Sequence, residues 1–112
     1  MIRKASLMKV YEDCHDEYHK RHHELWPEMK EMLLAHGVIS YSIFLDEPTS
    51  TLFAYLELED EALWNQAADT MICRKWWDSM KDIMETHADH RPVSRDLKEV
   101  FFLEREPDSF TV

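Results

Sequence analysis

An α+β fold in the ferredoxin-like βαββαβ order is what this sequence predicts, on three observations. Stretches with strand and helix patterns follow one another as strand, helix, strand, strand, helix, strand, the order of a split βαβ unit. The two central strands are separated only by Glu47-Pro48-Thr49-Ser50, whose turn chemistry makes them a hairpin. With 112 residues, 45% of them hydrophobic, the chain is large enough for one core and too short for two ordinary domains. Residues 1–103 are therefore expected to form one domain, followed by a polar tail over residues 104–112.

The first strand is expected from Ile2 to Val10, with Leu7, Met8 and Val10 as apolar positions. Glu12-Asp13 then supplies acidic side chains where a helix N-terminus favours them. Cys14, Tyr18, His22, Leu25, Met29 and Met32 recur at spacings of three and four and form one helical stripe. Pro27 interrupts it: proline removes a backbone donor and clashes with the preceding turn, so the helix should kink or restart near Trp26 with Pro27 in a first position. Gly37 ends it. Ile39 to Asp46 reads as the second strand, with Ile39, Tyr41, Ile43 and Leu45 alternating against Ser40, Ser42 and Phe44. Leu52 to Glu59 is the third. Asp60 caps a broken helical region over Glu61–Ala68 and Thr70–Met84, in which Thr70 is a second N-cap and Trp76, Met80 and Met84 share a stripe. After Pro92 the last strand is expected at about Asp96 to Leu103. Because the strands look apolar on both sides, one sheet face needs a cover beyond the helices, and a homodimer follows.

Charge narrows the partners. A formal net charge of -10, from 23 acidic and 13 basic side chains, repels nucleic acid and anionic lipid. The single glycine leaves no Gly-rich phosphate loop, so a neutral small molecule fits better than a phosphorylated one. Cys14 and Cys73 form no CxxC pair, and no signal-type apolar core follows the N-terminal residues, so reduced thiols and a cytoplasmic location are expected. No apolar run approaches the roughly 20 residues that span a bilayer.

Two features carry chemistry. Tyr18 and His22 lie four residues apart, one above the other on a helix, where an imidazole and a phenol can meet one small molecule. The pair Trp76-Trp77 offers apolar rings that stack on the C–H face of a sugar, each with an N–H for a hydroxyl. Adjacent helical residues point about 100° apart, so the two indoles cannot form one surface, and one packs while the other binds. The plainer reading of both tryptophans is core or interface, of Tyr41 a sheet-face tyrosine, and of His22 a surface histidine. His15, His19, His22 and His23 have spacings that can place two imidazoles on one metal, but no recognised metal signature is completed, and no metal is expected.

Several separate landmarks stand in one order: Met1-Ile2-Arg3-Lys4-Ala5, Glu17-Tyr18 to His22 with Leu25-Trp26-Pro27-Glu28, Tyr41 to Asp46, Trp64-Asn65, Cys73-Arg74-Lys75-Trp76-Trp77 and Pro92-Val93-Ser94. In this combination, from residue 1 to about 103, the sequence resembles the L-rhamnose mutarotase family. The resemblance implies a cytoplasmic, cofactor-free, dimeric α/β-barrel isomerase that interconverts the α and β anomers of L-rhamnose in support of rhamnose catabolism. It places the general acid on His22 and the sugar contacts on Tyr18, Tyr41, Trp76 and Trp77. The chemistry suits these residue types, because anomer exchange is a pair of proton transfers and histidine, with an ordinary pKa of about 6.5, moves protons near neutrality. The residues do not identify a separate partner base. His87-Ala88-Asp89-His90-Arg91-Pro92 departs from the family's Asn-Pro-Asp-Asn run, which bears on sugar preference and loop shape rather than reaction type. Two other readings remain at this stage: a cofactor-free oxygenase or haem-handling protein of the same fold, and a sugar-binding module without catalysis.

Overall fold

The structure, a computed structural model, describes residues 1–105. Four strands form one antiparallel sheet: β1 (Ile2–Lys9), β2 (Val38–Asp46), β3 (Thr51–Leu58) and β4 (Arg95–Asp96), in the spatial order β2-β3-β1-β4. The helices are α1 (His15–His23), α2 (Pro27–Ala35), α3 (Glu61–Asn65) and α4 (Met71–Met80). The expected strand and helix order is present, and with it the α+β ferredoxin-like architecture.

One face of the sheet carries the core. Leu52, Ala54, Leu56 and Leu58 of β3 are all buried, and residues paired across an antiparallel ladder project to the same side. Tyr41, Ile43 and Leu45 of β2 therefore face the helices, opposite Leu56, Ala54 and Leu52. Ala5 and Leu7 of β1, Phe44 of β2 and Phe53 and Tyr55 of β3 point to the other face, which no helix among the described residues covers. Met29 and Met32 from α2, and Cys73, Trp76 and Met80 from α4, close over the first face with Tyr18. A second cluster of Val38, Leu56 and Leu58 joins it through Leu33 and Trp64.

Strict alternation fails at the start of β2. Val38 opposes Leu58 and Ser40 opposes Glu57, so Ile39 is an extra residue in a bulge and stands 49% exposed, off the face that takes Tyr41. The bulge seats both Val38 and Tyr41 on the helix side although they are three residues apart. Ser40 reaches Glu57 with a 2.6 Å hydrogen bond on the open side.

The helix boundaries follow local chemistry. Pro27 opens α2 in a first-turn position with extended Trp26 as its N-cap, which splits the stripe into two helices. Gly37 has φ +88°, the left-handed conformation that glycine adopts without a Cβ penalty. Asp60 Oδ1 accepts from Leu63 N at 2.9 Å, and Thr70 Oγ1 accepts from Cys73 N at 3.3 Å, as N-caps do.

Helix α3 ends at Asn65 rather than Ala68, with a separate 3-10 turn over Ala67–Asp69, the first three strands shift by a residue, and two boundaries move further. Helix α4 stops at Met80 rather than Met84, because Arg21 takes the Ser79 carbonyl at 2.6 Å and forks onto Asp82, so the chain turns and Met84 bridges Val10 instead. The last strand keeps only Arg95–Asp96 of its ladder, paired with Leu7 and Ser6, plus one bond from Leu97 N to the Ala5 carbonyl. Beyond it the chain leaves the sheet, tied by Arg3 to Glu99 at 2.9 Å and by the Arg3 guanidinium lying 3.3 Å over Phe102. Most of the anticipated tail, residues 106–112, lies outside the described residues.

Candidate active site

The His22 imidazole sits in an aromatic stack. Tyr18, one turn earlier on α1, lies nearly parallel to it at 4.2 Å between ring centres, and Trp76 from α4 meets it edge to face at 5.3 Å. Trp26 supports Trp76 from behind at 5.1 Å, again edge to face. Two helices distant in sequence are thus held against one histidine. Arg21 is the clamp: one guanidinium binds Glu17 on its own helix and Ser79 and Asp82 at the end of α4.

His22 Nδ1 lies 3.0 Å from the Tyr18 carbonyl oxygen. A carbonyl only accepts, so Nδ1 carries the proton and, in the neutral ring, Nε2 is the basic nitrogen. Nε2 has no hydrogen-bond partner among the described residues. Loss of water lowers the His22 pKa below its ordinary value of 6.5; the Tyr18 carbonyl opposes this and nearby His19 adds to it. At neutral pH the imidazole is therefore uncharged and able to accept a proton.

The phenols are set up differently. Tyr18 is 7% exposed and desolvation, with a smaller contribution from Tyr41, pushes its pKa well above 10. Tyr41 keeps 40% of its surface exposed, yet desolvation raises its pKa to about 12, with Cys73 adding to the shift. The exposure belongs to the rest of the residue, and the hydroxyl is its desolvated end. Both phenols stay protonated at neutral pH and can donate hydrogen bonds without competing with His22 for a proton.

The two tryptophans divide. Trp76 is 8% exposed and belongs to the core beside His22, whereas Trp77 is half-buried, on the neighbouring side of α4, with the Arg91 guanidinium 5.5 Å from its ring centre. Tyr18, His22 and Trp76 are in direct contact and Tyr41 approaches from the sheet, whereas Trp77 packs on the core next along α4 from Trp76 and meets Arg91. Two participants escaped the sequence reading of the site. Trp26 stood out only as part of a motif and Cys73 reads as a small hydrophobe, whereas Arg91 belongs to the segment 87–92 already set apart as a departure that bears on sugar preference. Two grooves meet at Trp26 and Ser79, one running along Arg74 and Lys75 and the other reaching Trp76 between Arg21 and Glu24; neither is lined by Tyr18, His22 or Tyr41.

The histidines of α1 disperse. His15 Nε2 pairs with Ser50 Oγ at 2.8 Å, and His19 and His23 lie 6.5 Å apart with tilted rings. Among the described residues no three His, Cys, Asp or Glu side chains gather where one metal ion would bind them.

The L-rhamnose mutarotase family model matches residues 3–103. An L-rhamnose mutarotase of Bacillus subtilis (strain 168) is 57% identical over 104 residues, covering 93% of this chain and 100% of the relative. The crystal structure of an L-rhamnose mutarotase from Formosa agariphila superposes with a TM-score of 0.85 at 43% identity, covering 93% of this chain and 100% of that one. An antibiotic biosynthesis monooxygenase superposes with a TM-score of 0.60 at 12% identity, covering 89% and 99%, a likeness of fold alone. By the matched length, the identity and the shared architecture, this chain belongs to the L-rhamnose mutarotase family, a family of anomer-interconverting isomerases.

Proposed function

We propose that this chain interconverts the α and β anomers of L-rhamnopyranose, with His22 as the general acid/base. The observation that supports this most is the pinned imidazole: Nδ1–H is held by the Tyr18 carbonyl, the ring is desolvated, and Nε2 is left to the substrate. The closed sugar carries a proton on O1 and none on the ring oxygen; the open aldehyde has the reverse, and both oxygens are bonded to C1 of the ring. Nε2 takes the O1 proton as the C1–ring oxygen bond breaks and the C1=O1 bond forms. The resulting imidazolium, a stronger acid than a solvated one because burial disfavours its charge, gives the proton to the released ring oxygen. Rotation about C1–C2 and closure on the other face, by the same steps reversed, deliver the other anomer. One group serves both oxygens, and no separate base is needed. Tyr18 and Tyr41 donate hydrogen bonds to sugar hydroxyls, Trp77 offers apolar surface to the C–H face, and Trp76 backs the imidazole while completing that wall.

We also read the chain as a cytoplasmic homodimer with residues 1–103 as one domain. Support for the dimer is the helix-free sheet face, where Phe44 is 66% and Phe53 43% exposed, together with the apolar side chains of Val100, Phe101 and Leu103 beside it in sequence after β4. Both cysteines are unpaired, and among the described residues no helix is long and apolar enough to cross a membrane.

The test follows magnetisation transfer between the two anomeric protons of equilibrated L-rhamnose by NMR. Wild type is expected to accelerate exchange, and His22→Ala to lose about 10²- to 10⁴-fold of it while remaining folded. Undiminished exchange in His22→Ala removes His22 from the chemistry, and binding without exchange in wild type makes the protein a sugar-binding module.

A further inference from the structure

The segment after α4 ends in a tight turn that carries Arg91 back over the helix. Glu85 N donates to the Lys9 carbonyl, Val93 N to the Glu85 carbonyl, and Thr86 bridges Pro92, so the turn has a paired base. Its tip is closed by His87 N donating to the Arg91 carbonyl at 2.8 Å and Arg91 N donating to Asp89 Oδ1 at 3.1 Å. His90 has φ +72° and sends Nδ1 to Asp78 Oδ1 at 2.9 Å, which fastens the tip to α4 one residue beyond Trp77. This scaffold fixes the backbone of Arg91 and leaves its side chain a defined place, with the guanidinium 5.5 Å from the Trp77 ring centre, inside the range of a cation–π contact.

The guanidinium keeps its donors in a chain rich in carboxylates. Arg3 forks onto Glu99 and Arg21 onto Asp82, whereas among the described residues the Arg91 guanidinium makes no hydrogen bond to a carboxylate or carbonyl, although its charge, after the Arg91 backbone N–H bond, helps to lower the pKa of Asp89 in the same turn. Burial pushes the Cys73 thiol up to about 11, and the charges of Arg74 and then Arg91 oppose that shift, so the Arg91 charge is felt at a side chain that in turn acts on Tyr41. A planar cation with five donors, steadied on the indole that follows Trp76 along α4, is equipped to bind vicinal hydroxyls.

We propose that Arg91 is a specificity-determining sugar ligand: held on Trp77 by the His90–Asp78 fastening, it donates hydrogen bonds to hydroxyls of the bound aldose on the side away from His22. It acts on affinity and on choice between aldoses, not on proton transfer. This rests on the mutarotase reading of the same site.

The experiment measures Kd for L-rhamnose from indole N–H shifts, and KM and kcat from anomeric exchange, in wild type, Arg91→Met and Arg91→Lys. Methionine keeps apolar stem contact with Trp77 and removes every donor; lysine keeps the charge and loses the fork. Arg91→Met is expected to raise Kd and KM about tenfold with kcat within about twofold of wild type, and Arg91→Lys to recover part of the loss. The ratio of Kd for L-rhamnose to Kd for other aldoses should shift in Arg91→Met. Unchanged or tighter binding in Arg91→Met overturns the proposal, because it makes the arginine a packing group or a cover over Trp77. A fall in kcat with KM unchanged also overturns it. If wild type binds L-rhamnose without exchanging anomers, the mutarotase reading fails while a weakened Arg91→Met Kd still supports the ligand role; if wild type binds none of the aldoses, both fail.

Discussion

Burial of a single imidazole decides the pH behaviour of the site. Because desolvation lowers the His22 pKa below 6.5, its basic form dominates at neutral pH, and the acid limb of the exchange rate should fall below pH 6.5 rather than at it. The same shift works against the fold in acid: the unfolded chain binds the proton first, so this contribution to stability is present above about 6.5 and is lost as pH falls through the depressed native value. A pH–rate profile of kcat/KM checks the limb, and an inflection above 6.5 would contradict a desolvated His22. The Tyr18–His22 pair was legible in the sequence because a spacing of four on a helix is a local property. The direction of Nδ1 was not, since it depends on how the helix backbone and the Trp76 indole leave room for the ring.

Elements matter through how they are fastened to each other. Arg21, adjacent to His22, joins the end of α1 to the end of α4 through Ser79 and Asp82 and so sets the distance between the imidazole and Trp76. Arg21→Met should cost about 1–2 kcal/mol, mainly for the lost bond to the Ser79 carbonyl because the partly exposed ion pairs are screened, and should slow exchange as well. A urea midpoint alongside the exchange rate reads both effects. Proline at the start of α2, the caps Asp60 and Thr70 and the β2–β3 hairpin turn are sequence-local and stood where expected. The early stop of α4 and the Ile39 bulge were not visible, because each answers to a partner far along the chain: Arg21 in one case, the Leu58–Glu57 register of β3 in the other.

At the scale of the whole molecule, the sheet is finished on one face only. Leu7, Phe44 and Phe53 share the face that no helix among the described residues covers, and at about 25 cal/mol per Å² such side chains favour a second apolar layer over water. In the homodimer reading, Phe44→Glu with Phe53→Glu should halve the mass measured by sedimentation while far-UV circular dichroism is retained. A wild-type mass equal to one chain would remove the dimer reading. The short β4 ladder belongs to the same picture: after Leu97 the chain turns from β1 and presents Val100, Phe101 and Leu103 outward.

The sequence by itself determined the α+β order, the hairpin, the proline-split helix pair and the family, because periodicity, caps, turns and ordered landmarks are properties of neighbouring residues or of the whole string. It also singled out Tyr18, His22, Tyr41, Trp76 and Trp77. Only the tertiary structure decided that Trp76 packs against the imidazole while Trp77 lies toward Arg91, and that Tyr41 joins them from the sheet. Those outcomes depend on strand register, on where α4 ends and on the path of the turn after it. Contacts between residues far apart in the chain set all three, and no local pattern encodes them.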